Sequence, residues 1–195
     1  MNHQEKLKPG SSSSSARSQA SCVRVGQAVN VAVERFVTVG ETIADDYQDI
    51  KSRMCEACKD ARIAGGEIEK LCEGVSEDSD TQGYFSTSLI RAARRLLSSV
   101  TQVLLFADSI VVRQLLLAKD KVANALTRLE NVKNFTEFVR AFCQFGQEMV
   151  DLAQLTGNRQ NDLKDERRRA QMAAARHVLE RSTMVLLSSS KVRSL

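Results

Sequence analysis

Cys55 and Cys58 stand as a CxxC pair, the spacing shared by thiolate metal sites and dithiol redox motifs. Either chemistry needs partners that spacing alone does not supply. No second cysteine pair and no nearby histidine completes four zinc ligands, and no βαβ context suggests a thioredoxin site. The pair instead lies inside a run of helical period, where positions i and i+3 share a face, so packing thiols are the expected role. His177 follows three alanines and Arg176, and His3 lies near the start of the chain, so the two histidines form no catalytic pair. Gly65-Gly66 and Gly74 fit neither GxxxxGK[ST] nor GxGxxG, and no nucleotide site is expected. No catalytic, cofactor-binding or metal-ligating residue is expected, and no cofactor; the chain reads as something other than an enzyme.

Three further clusters have structural readings. Lys164, Arg167, Arg168 and Arg169 form a basic knot beside Asp162, Asp165 and Glu166, which reads as a solvated, internally neutralised helix start, with contact to an acidic partner or anionic lipid as the lesser alternative. Asn134-Phe135-Thr136 matches a glycosylation sequon, but Asn134 with Glu137 also resembles a capping box. Behind that cap, Phe135, Phe138, Phe142, Phe145, Met149 and Leu152 recur at steps of three and four, the spacing of a buried seam.

The elements that carry these residues are helices. In 195 residues the only proline is Pro9, with nine glycines, 43% hydrophobic and 27% charged residues, so the chain can bury a core but has few turn formers for a β-rich fold. A net charge of +4 is mild and disfavours nucleic acid as a partner. Five cysteines without framework spacing, and a polar start without a signal peptide, fit a reducing, cytoplasmic setting. Residues 1–22, with Pro9, Gly10 and a run of five serines, read as a disordered leader. Apolar residues at Val25, Val29, Ala32, Phe36, Val39 and Ile43, then at Ile50, Met54, Ala57, Ala61, Ala64, Ile68 and Leu71, have helical period. Asp45 and Asp46 could cap a second helix, although one unbroken helix fits the period as well. Gly74 to Phe85 reads as a loop, and Ser86 or Ser88 as the cap of a helix over 86–131, a shared spine of some 45 residues and about 68 Å with its centre surrounded by protein. Within it, Leu96 to Leu117 carries Ser98, Ser99, Thr101, Gln102, Asp108, Ser109, Arg113 and Gln114, too many polar groups for a transmembrane segment. Two more helices follow, divided near Asp162 to Asp165 and ending near Ser190.

The runs RVGQAVNVAVERFVTVGETIA, AARRLLSSVTQVLLFAD, NRQNDLKDERRRAQMAAARHVLE and MVLLSSSK together resemble the N-terminal region of the vinculin and α-catenin family, over about Val23 to Lys191. The resemblance implies an all-α fold of two up-down helical bundles sharing a long central helix, with a break near Asp45 to Tyr47. It implies a first bundle over 23–105, a second over 106–191 and a tail at 192–195, each bundle having three of four expected helices. By resemblance the chain is a cytoskeletal and cell-adhesion scaffold, cytoplasmic and associated with the cytoskeleton and plasma membrane. The family links it to actin filaments and Rho signalling, although the family's actin-binding bundle has no counterpart in these residues. Protein partners are expected, among them an armadillo-repeat catenin or a Rho exchange factor, as is a homodimer. Val25, Val29, Phe36, Ile43, Ile50, Met54, Leu97 and Leu104 are the expected lining of a groove for partner helices. A truncated isoform or fragment that self-associates or competes with a longer protein is the alternative.

Overall fold

The computed structural model describes residues 12–74 and 79–192. Among the described residues there are five helices and no strand: α1 (Ser12–Asp46), α2 (Gln48–Glu73), α3 (Ser79–Glu130), α4 (Phe135–Asp162) and α5 (Glu166–Val192). The fold is all-α, as the proline-poor composition and the apolar period require.

The breaks have local causes. Between α1 and α2 the chain turns at Tyr47, which has non-helical backbone angles of φ −130° and ψ 85° and no side-chain cap. Neither acidic residue caps α2 as expected; Asp45 instead accepts from Lys51 at 2.9 Å, a contact that raises the pKa of the lysine. The expected cap of α4 is present: Asn134 accepts from the Glu137 amide at 2.8 Å, and Glu137 Oε2 reaches back to the Lys133 amide at 3.5 Å. Asp165 Oδ1 accepts from the Arg168 amide at 3.0 Å and caps α5 where the charge pattern placed the division.

Two helix starts differ from expectation. Residues 12–22, expected to be disordered, belong to α1, and Cys22 packs on the cluster of Ile68, Cys72 and Ala92. Serine, alanine, arginine and glutamine tolerate a helix that packing further along nucleates, so composition alone misplaces this boundary. Residues 1–11 of that leader and the end of the tail lie outside the described residues. α3 likewise starts at Ser79 rather than at Ser86 or Ser88, running through Gly83. A single helical glycine costs only about 1 kcal/mol, and Leu89 and Leu96 further along pack on the same cluster.

The chain divides into two compact units, Met1–Asp108 and Ser109–Leu195, with the division inside α3. In the first, α1 and α2 run antiparallel along a seam of small residues. Gly26 and Gly40 on α1 lie against Cys72 and Cys58 on α2, Gly65 on α2 lies against Val33 on α1, and the small residues Ala44, Ala57, Ala61 and Ala64 are buried, so short side chains bring the helices close. Ala92 packs against Ile68 and Cys72, and Val103 lies beside Gly40, which places α3 across this pair. In the second unit Ala125, Phe145 and Met149 form the core, joined by Val122, Leu126, Leu179 and Leu186. The phenylalanine seam is buried only from Phe145 onward. Phe138 and Phe142 stack half-buried at 5.6 Å, and Phe135 is 66% exposed because it opens the helix beyond the residues that cover the seam.

The centre of α3 also differs. The stripe of Ala92, Ser99, Val103, Ile110 and Ala118 is buried there, while Leu104, Leu105, Val112, Leu116 and Leu117 are exposed. An apolar run on every face predicts enclosure, but no described element covers these residues.

Candidate partner-binding face

Interhelical ion pairs mark which side of each helix in the first unit meets α2. Arg62 on α2 donates from Nε to Glu34 at 3.1 Å and from Nη1 to Glu41 at 3.0 Å, spanning two turns of α1. These carboxylates, Glu41 foremost, push the guanidinium above its ordinary pKa. Arg95 on α3 reaches back to Asp60 at 3.0 Å and Glu67 at 3.2 Å on α2. Arg53 lies over the Phe106 ring at 4.6 Å, on the same side of α3.

The opposite flanks are apolar and poorly covered. On α1, the helical period places Glu34 and Glu41 on one side of the buried Val33–Val37–Ala44 seam and Val25, Val29, Phe36, Val39 and Ile43 on the other. On α3, Arg95 stands on one side of Ala92, Ser99 and Val103, and Leu97 and Leu104 stand on the other. Both apolar flanks therefore lie opposite the ion pairs to α2, although Val29 at the edge of the α1 flank packs on the cluster of Ile68, Cys72 and Ala92. Together they form an apolar surface bounded by α1 and α3.

The expected groove residues divide accordingly. Val25, Leu97 and Leu104 are 57%, 68% and 56% exposed, and Val29, Phe36 and Ile43 are half-buried at the edge of the seam. Ile50 and Met54 are buried, at 3% and 0% exposure, and line no open surface. They lie on the face of α2 that the seam occupies, and the sequence period cannot separate a seam residue from one beside it. Val39, which belongs to the same stripe, and Ile90, a turn-multiple before Leu97 on α3, were not among the expected lining and are both exposed.

The chemistry-bearing residues occupy structural positions. Cys58 is fully buried, its Sγ 3.9 Å from the Val37 carbonyl, and burial raises its pKa; Cys55 beside it is half-buried. Among the described residues no group of three or more His, Cys, Asp or Glu is placed to hold a metal. His177 is exposed on α5, and His3 lies outside the described residues. Lys164, Arg167, Arg168 and Arg169 are exposed, with Arg169 3.8 Å from Glu166. By length and composition the Gly83–Glu130 stretch of α3 is long and apolar enough to cross a membrane. Its Ala92 and Val103 pack on α2 and α1, while Leu97, Leu104, Leu105, Leu116 and Leu117 are exposed.

Comparison with known proteins gives this architecture a lineage. The chain is 51% identical over 174 residues to alpha-catulin of Homo sapiens and of Mus musculus, covering 86% of the chain and 24% of each relative. It is 35% identical over 163 residues to Catenin alpha-2 of Homo sapiens, covering 84% of the chain and 17% of that protein. The chain thus spans about a quarter or less of the length of the curated relatives it matches. The Vinculin family matches residues 5–193, which contain every helix described above, and the chain belongs to that family.

Proposed function

We propose that the chain is a non-enzymatic scaffold of the cytoskeletal and cell-adhesion type, which binds a partner helix along the apolar flanks of α1 and α3. The observation that carries this reading is the exposure of Val25, Leu97 and Leu104 beside half-buried Phe36 and Ile43, on the flanks opposite the ion pairs to α2, with Val29 packed on the cluster of Ile68, Cys72 and Ala92 at their edge. An amphipathic helix laid there would bury side chains at i, i+3, i+4 and i+7 against both helices, which is how helix-in-groove recognition gains affinity. Membership of the vinculin family, and the kinship with alpha-catulin and the alpha catenins, support a cytoplasmic role at the cytoskeleton and plasma membrane. An armadillo-repeat catenin is the partner we assign to this face. Links to Rho signalling and to actin filaments belong to the longer relatives by resemblance, and we extend them to this chain only as part of the same reading.

Titration calorimetry of the purified chain with an armadillo-repeat catenin tests the assignment. Leu97→Asp with Leu104→Asp places two charges on exposed positions, so the fold should persist while binding weakens by more than about tenfold. Unchanged binding, or none by the unaltered chain, refutes the assigned partner and face. Self-association through the same flanks is the second reading, favoured by the exposed leucines. It is recognised by a dimer in light scattering that the double substitution converts to monomer.

A further inference from the structure

We propose that Cys22 and Cys72 form a reversible disulfide that staples the N-terminal part of α1 to the last turns of α2 when the chain meets a peroxide. The pair is far apart in sequence and close in the fold. Cys72 is 3% exposed in the cluster with Ile68 and Ala92, and the half-buried Cys22 packs against that cluster from α1. Packed helices are usually 8–10 Å apart, too far for most cysteines to bridge. Here Gly26, one turn after Cys22 on the same face, removes the spacer: a Cβ at Gly26 would stand 2.8 Å from Cys72 Cβ and 3.1 Å from Glu69 Cα. The two backbones approach closely at the point where the two thiols meet. Burial, and secondly the neighbouring Cys22 thiol, hold Cys72 up at about 11, so Cys72 rests as a neutral thiol beside Cys22 until an oxidant arrives.

The half-buried Cys22 is the sulfur a small peroxide reaches. Its oxidation to a sulfenic acid transfers one oxygen and releases the first water. The Cys72 sulfur then attacks the Cys22 sulfur, the S–O bond breaks and a second water leaves. Two thiols and one hydrogen peroxide become one disulfide and two waters, with two electrons passing from sulfur to peroxide oxygen. The inference goes beyond the scaffold reading and does not depend on it, because it concerns the α1–α2 seam and requires no partner.

The test is to treat the folded full-length chain with hydrogen peroxide at mildly alkaline pH, block the remaining thiols with iodoacetamide, and map the linked peptides by mass spectrometry. The Cys22–Cys72 peptide should exceed any other linked pair by on the order of tenfold, because the fold sets the effective concentration. It should disappear on reduction, and the preference should be lost when oxidation is done in guanidinium. Closing so long a loop should raise Tm by roughly 5–15 °C. Cys22→Ser should abolish that rise and Cys143→Ser, at an exposed position, should keep it. A dominant Cys55–Cys58 link, dimers through Cys143, over-oxidation of Cys22 without a link, or no reaction each overturns the proposal. The peptide map of the unaltered chain stands whether or not the serine variants fold.

Discussion

Gly26 and Gly66 are both helical glycines, yet the space around them is opposite, and their alanine variants should move stability in opposite directions. Nothing lies within 4 Å of a Cβ at Gly66, so Gly66→Ala should gain about 0.5–1 kcal/mol from reduced unfolded-state entropy, read as a higher denaturation midpoint. At Gly26 the same gain is outweighed by overlap with Cys72 Cβ at 2.8 Å and with the Glu69 backbone at 3.1 Å. Gly26→Ala should therefore lose about 1–3 kcal/mol, because helices in a packed seam separate only by giving up contacts. Cys72 also makes stability depend on pH in a definite sense. Its folded pKa, about 11, lies above the ordinary thiol value of 9.0, so the folded state holds the proton more tightly. That contribution is complete below pH 9 and is lost as pH rises from 9 toward 11. Urea denaturation of the reduced chain at pH 8 and pH 10.5 should show a smaller loss in Cys72→Ala than in the unaltered chain.

Whole helices depend on a few polar contacts at their ends and flanks. Asn134 accepts from the Glu137 amide, and Asn134→Ala leaves that donor at the start of α4 unpaired, at a cost of about 1 kcal/mol. Asn134→Asp keeps the acceptor and should restore most of the loss, a comparison that separates the cap from any other effect of the side chain. These ends were legible in the sequence because an Asn followed by Glu three positions later, or an Asp ahead of a charged run, is a local signal. The starts of α1 and α3 were not, since Ser12 to Ser21 and Ser79 to Phe85 have the composition of a loop and become helical through packing further along. The candidate face was legible in part for a related reason. Helical period identifies an apolar stripe, so Val25, Phe36, Leu97 and Leu104 could be named. Whether such a stripe is seam or flank depends on where Arg62 and Arg95 tie the helices, and Ile50 and Met54 fall on the seam side.

At the scale of the molecule, the two units differ in how much they bury. The first has a continuous seam in which Val37, Ala44, Met54, Cys58, Ala61 and Ala64 are fully buried, reinforced by paired carboxylates on Arg62 and Arg95. In the second, Phe145, Met149, Leu152 and Ala125 carry the core, while Phe135, Val139, Val150, Val178, Met184 and Val185 remain exposed. Arg176 on α5 lies beside Gly157 and donates to Gln160 at 2.9 Å, a polar link between α4 and α5, and its buried Nε has no hydrogen-bond partner. Since burial of apolar surface supplies most of the driving force for folding, the smaller core should open at lower cost. Hydrogen exchange followed by mass spectrometry should show the amides of α4 and α5 exchanging before those of α1 and α2. Met149→Ala, which removes a buried side chain at a cost of about 2–5 kcal/mol, should speed exchange in α4 and α5 and leave the α1–α2 seam near its original protection. Met54→Ala should do the reverse, accelerating exchange along the seam. Equal acceleration everywhere by either variant would show that the two cores unfold as one cooperative body, with the continuous α3 transmitting the loss of either to the other.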